Sequence, residues 1–218
     1  MTWRLKAALL AASLIVVTAP ASAQALAGRA ENGARINAMC IGCHGIEGYR
    51  ASFPQVYHVP MIAGQNLKYL SAALEAYRKG ERKHPTMRGV AGSLSDQDIA
   101  DLAAYYATLG KPPATEPPAQ VALPAELKDK LAACTACHGA NFNNTVDASY
   151  PRLAGQHRDY LYQALKAYQT QNHALVGRGN AIMVGMAATL DDAQARAIAD
   201  YLSGLPGDLR TAPQPMLH

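Results

Sequence analysis

CIGCH at residues 40–44 and CTACH at residues 134–138 are one five-residue pattern written twice. Cysteines at i and i+3 fall on the same side of a helical turn, with the histidine next along at i+4. Two thiols and an imidazole then share one face, the arrangement by which a c-type haem is attached through its two vinyl groups and bound at iron. A disulfide within each pair is the first alternative, but neither copy sits in a βαβ pattern. A zinc site is the second, and it needs a fourth ligand after Cys, Cys and His. Neither explains why the similarity continues downstream.

That similarity runs through most of the chain. PMIAGQNLKYLSAALEAY, residues 60–77, matches PRLAGQHRDYLYQALKAY, residues 151–168, without a gap. MRGVAGSLSDQDIADLAAYYATL, residues 87–109, matches MVGMAATLDDAQARAIADYLSGL, residues 183–205. Two copies are too few for a solenoid, so two similar domains are expected. Between them, residues 111–124 read KPPATEPPAQVALP, whose five prolines favour extended polyproline structure over helix. At about 3.1 Å per residue this linker spans roughly 40 Å, a length that does not fix how the domains dock.

Helices are expected over 28–39, 65–80 and 96–109 in the first unit and over 125–133, 157–170 and 192–202 in the second. Leu67, Leu70, Leu74 and Tyr77 recur at helical spacing, and Ser95 is placed to cap the helix that follows. No alternating strand is evident, so the fold class is all-α.

The chain opens with Arg4 and Lys6 ahead of an apolar run to about Val17 and the small residues Ala21-Ser22-Ala23. This is the layout of a secretory signal peptide over 1–23, too short for a comfortable membrane span. The expected division is then 24–110 for the first domain, 111–124 for the linker, and 125–218 for the second domain with a short tail. Without residues 1–23, 18 basic residues face 16 acidic ones, a charge of +2 that excludes whole-chain nucleic-acid binding. The single Trp leaves with the signal, and the two Phe that remain are little with which to fill two small cores. A bulky buried cofactor would make up the deficit.

With haem at both motifs, Cys40, Cys43, Cys134 and Cys137 are the attachment residues, and His44 and His138 the proximal iron ligands. A low-spin haem needs a sixth ligand, commonly Met, which raises the reduction potential relative to a second His. The repeat chooses it. The register that sets Met87 on Met183 sets His84 on Asn180 and Met186 on Val90, while Met61 falls on Arg152 and Met39 on Ala133. Only Met87 and Met183 are methionine in both copies. Pro60 and Pro151 offer carbonyls to the second ring N–H of each histidine, or simply make rigid turns.

CIGCH with CTACH, PMIAGQ with PRLAGQ, and the MxxxAxxLxD stretches leading into AAYY and ADYL together resemble a dihaem cytochrome c of the c4 type. That resemblance covers essentially the whole chain after the signal. It implies two tandem class I cytochrome c domains, each wrapped around a covalently bound haem c with His/Met axial ligands, packed with their haem edges close. It also implies the carbonyl role for Pro60 and Pro151, a periplasmic location and one-electron transfer between respiratory components. The expected partners are redox proteins such as a quinol-oxidising complex, a dehydrogenase or a terminal oxidase, with peripheral membrane association left open. Service as the electron-accepting subunit of a dehydrogenase is the first alternative, and a peroxidase or thiosulfate-oxidising haem enzyme, with an open sixth position, the second. Electron carriage without catalysis is the expectation.

Two departures stand out. The segment from His44 to Pro60 is three residues longer than its counterpart, and the segment before Met183 has five extra residues around 170–180. The first unit also concentrates Arg78, Lys79, Arg82, Lys83 and Arg88 beside Glu81, where the second has only Arg178. That run either steers an acidic partner or is a solvated surface.

Overall fold

A computed structural model describes residues 26–110 and 124–212; the expected signal segment, most of the expected linker and the end of the tail lie outside these. The first unit comprises α1 (Ala30–Ile36), α2 (Ala38–His44), β1 (Arg50–Ala51), β2 (Tyr57–His58), α3 (Leu67–Lys79), β3 (Arg82–Lys83), α4 (Pro85–Gly92) and α5 (Asp96–Thr108). The second opens with a 3-10 turn, Ala125–Leu127, and continues through α6 (Lys128–His138), α7 (Arg158–Gln169), β4 (Gly177–Arg178), α8 (Ala181–Ala188) and α9 (Asp192–Gly204). Helices dominate, as the sequence leads one to expect, and the four strands are two residues each.

Local chemistry sets the boundaries. The helix expected over 28–39 is divided at buried Asn37, so the attachment motif occupies a helix of its own. In the second unit α6 runs unbroken to His138, beyond the expected end at 133. Ser95 caps α5 in a reciprocal box with Asp98, and Asp191 does the same for α9 with Gln194.

The first unit is closed by packing α1 on α5, and the second by packing the 3-10 turn and α7 on α9. In the first, a Cβ on Gly33 would stand 2.2 Å from the Asp101 carbonyl oxygen, so the missing side chain is what lets α1 approach α5. Asp101, fully buried on α5, locks the crossing by accepting from the Arg29 backbone N–H at 2.7 Å and from Asn32 at 2.6 Å. Those donors hold its carboxyl well below the usual range despite its burial. The second unit solves the same problem with bulk: Leu127 and Leu131 pack with Phe142, Leu161, Ile198 and Leu202. The first-unit core is smaller, built on Ala63, Leu70, Leu102, Ala103 and Tyr106.

The units meet through matching elements. β3 pairs antiparallel with β4, setting Arg82 opposite Arg178. β1 and β2 form a hairpin in the long first-unit loop, and from it the His58 N–H reaches Asp159 of α7 at 3.0 Å. Gln65 bonds the backbone of Arg152, and Gln156 that of Met61. Ala63 bridges Arg210 in the C-terminal segment, whose guanidinium donates to the Leu109 carbonyl at 2.5 Å.

Candidate functional site

Both attachment motifs lie at helix C-termini, and no disulfide joins any of the four cysteines. His44 donates from Nδ1 to the Pro60 carbonyl at 2.8 Å, and His138 to Pro151 at 2.9 Å. Of the two roles open to the prolines, acceptor is the one the fold displays, and it fixes each imidazole with Nε2 as the nitrogen left to bind a metal. Burial lowers the pKa of both rings against the pull of their carbonyls; at His44 the charges of Arg82 and His84 add to it. Each ring is thereby favoured in the neutral form, the form in which imidazole can ligate a metal.

No helix is expected over either methionine from sequence, yet both lie on short ones. Met87 is the third residue of α4, and Met183 the third of α8. His84 occupies the N-cap of α4, and its Nδ1 accepts the Met87 N–H at 3.4 Å. Asn180 does the same for α8, its Oδ1 accepting the Met183 N–H at 3.1 Å. His84 and Asn180 are thus equivalent after all, as caps. Pro85 follows at the first helical position, where its missing N–H costs nothing. α4 packs on α3, and α8 on α7. Of the other methionines, Met39 is largely exposed, and Met61 is held by its backbone in the interface.

The positive run of the first unit is not an open patch. Arg82 is buried, and Arg78 is held by Glu75 at 2.6 Å, by Asp96 at 2.5 Å and by the Leu94 carbonyl. Lys83 donates to the His173 carbonyl of the second unit. Steering by the whole cluster is therefore excluded, since its central member faces the interior.

Arg82 donates to the Tyr69 hydroxyl at 3.1 Å and the Tyr160 hydroxyl at 2.8 Å, and Arg178 reaches the same Tyr160 hydroxyl at 3.2 Å. The Arg82 guanidinium also lies over the Tyr77 ring, and that of Arg178 over Tyr168. Among the described residues no carboxylate pairs with either guanidinium, and the buried Nε of Arg82 has no partner. Burial pushes the Tyr160 phenol up, but Arg178 and Arg82 outweigh it and bring it down to about 7. Two cations short of anions, beside a small cleft lined by Tyr57, Tyr77, His84, Tyr160 and Arg178, fit the carboxylate groups of haem. Sequence reasoning missed this cluster, although the register that sets Met87 on Met183 also sets Arg82 on Arg178.

A family model described as Cytochrome c matches residues 30–110 and again residues 126–206. Cytochrome c4 of Azotobacter vinelandii is 34% identical over 195 aligned residues, covering 82% of this chain and 90% of that protein. A thiosulfate dehydrogenase electron acceptor from Stutzerimonas stutzeri (strain A1501) is 30% identical over 188, covering 80% and 83%. Among solved structures, reduced recombinant cytochrome c4 from Pseudomonas stutzeri matches with a TM-score of 0.61 at 31% identity, covering 83% of this chain and 100% of that one.

Proposed function

Since this chain belongs to the cytochrome c family, as a dihaem electron-transfer protein of the c4 kind with haem c attached at both cysteine pairs, we propose that His44 and His138 bind the irons from one side and Met87 and Met183 from the other. The observation that carries this assignment is its repetition. In each unit an imidazole is oriented by a proline carbonyl, and a methionine follows a side-chain-capped helix start by three residues.

Each haem supplies a one-electron ferric/ferrous couple. The chain holds it by Cys40 and Cys43, or Cys134 and Cys137, and orients its proximal ligand through Pro60 or Pro151. Arg82 and Arg178, with Tyr69 and Tyr160, would hold its carboxylates. With His and Met side chains on either side of each iron, substrate would have no route to it, and the protein would pass electrons to redox partners instead of catalysing a reaction. The export layout of residues 1–23 supports a periplasmic location and removal of that segment, giving domains over 24–110 and 125–218.

Replacing either methionine tests the assignment. Met87→Ala or Met183→Ala should each convert one centre from six-coordinate low-spin to five-coordinate, leave the other centre unchanged, and lower the potential of the altered centre. Absorption and electron paramagnetic resonance spectra read the first effect and redox titration the second. A five-coordinate centre in the unsubstituted protein would overturn it.

The relative described as a thiosulfate dehydrogenase electron acceptor favours a second role, as the accepting subunit of a dehydrogenase. Stable co-purification with a larger catalytic subunit, reducing this protein directly, would distinguish that role from a free carrier.

A further inference from the structure

Gln65 and Gln156 lie at matching places in the two AGQ segments and are 5% and 3% exposed. Each grips the other unit. Gln156 Oε1 accepts the Met61 N–H at 3.0 Å, and its Nε2 donates to the Met61 carbonyl at 2.9 Å. Gln65 Oε1 accepts the Arg152 N–H at 2.8 Å, and its Nε2 donates to the Arg152 carbonyl at 3.0 Å.

The N–H of Met61 belongs to the same peptide group as the carbonyl of Pro60, which accepts from His44. Likewise the N–H of Arg152 shares its peptide group with the Pro151 carbonyl, which accepts from His138. One peptide plane in each unit is thus held at both ends: by its own histidine at oxygen, and by the partner unit's glutamine at nitrogen. A hydrogen bond at an amide N–H polarises the group and makes its carbonyl a better acceptor. A better acceptor raises the basicity of the imidazole that donates to it, and a more basic imidazole favours the oxidised metal.

We propose that Gln65 and Gln156 are positioning residues acting crosswise: each, through a single peptide group of the other unit, tunes the reduction potential of the haem in that other unit. Gln156 acts on the first-unit centre and Gln65 on the second. The proposal rests on His44 and His138 as proximal ligands, which low-spin spectra of the unsubstituted protein test separately.

The experiment is redox titration of the haem-loaded protein, with each haem followed by its own assigned proton resonances. Gln156→Leu removes the amide and keeps the apolar bulk; it should raise the potential of the first-unit haem. The expected change is roughly three- to tenfold in the reduction equilibrium constant, the upper figure being about 59 mV for one electron. The proximal histidine resonances of the first unit should shift with it, and the second-unit haem should move less. Gln65→Leu should give the mirror result. Gln156→Glu keeps an acceptor for the Met61 N–H and should not show the upward shift. Changes confined to the substituted unit, equal changes at both centres as a loosened interface would produce, or no change at either would each overturn the proposal.

Discussion

The imidazole of His84 holds the first turn of α4 only while Nδ1 is unprotonated, because it accepts there from the Met87 N–H at 3.4 Å. Burial lowers its pKa below the ordinary value, and the charges of Arg82 and Arg178 lower it further. The unfolded chain takes up this proton near pH 6.5, the folded site only at lower pH. Its contribution to stability is therefore complete above about 6.5 and shrinks as pH falls toward the folded value. His84→Asn, the residue that caps α8, should remove this acid sensitivity and preserve the cap. His84→Ala should cost about 1 kcal/mol at pH 7. Denaturant midpoints of the haem-loaded variants at pH 5 and pH 7 read both. The repeat alone ranked Met87 above His84, but not what His84 does: histidine is an uncommon cap, and its equivalence to Asn180 lies in hydrogen bonding, not in shape.

Crossing helices make their demands at single positions. Gly33 leaves no room for a side chain, whereas in the register of the cysteine motifs its counterpart is Leu127, buried at 1% exposure. Gly33→Ala should therefore separate α1 from α5 and destabilise the first unit by about 1–3 kcal/mol, the usual range for overpacking. The second unit should keep its transition, and calorimetry of the haem-loaded protein would resolve the two. The long helices were legible because their apolar spacing and capping residues agree: α5 begins at Asp96 and α9 at Asp192, as their caps dictate. α4 and α8 were not, since eight residues give barely two turns of periodicity and both are rich in glycine or small apolar residues. Strands of two residues have no alternation to read.

At the scale of the molecule, both departures in loop length serve the contact between units. The longer first-unit loop supplies the β1–β2 hairpin that carries His58 to Asp159, and the extra second-unit residues include β4 and His173. Sequence could register these insertions but not their destination, because a loop's length says nothing of what it touches. The charge run misleads for a related reason: Arg82 reads like its exposed neighbours and is buried among tyrosines. Arg82→Gln should accordingly lower the potential of the first-unit haem, since the Arg82 charge acts on His44 and a nearby cation disfavours the oxidised iron. It should leave the salt dependence of electron transfer to partners unchanged, as stopped-flow kinetics at several ionic strengths would show. The glutamine grip constrains the sequence unevenly. Gln65 and Gln156 bond only to backbone atoms at Arg152 and Met61, so the clasp is blind to which side chain stands there. At the clasp those two positions accept different side chains, methionine in one copy and arginine in the other. The glutamines that hold them are the same in both copies, each closing an AGQ segment.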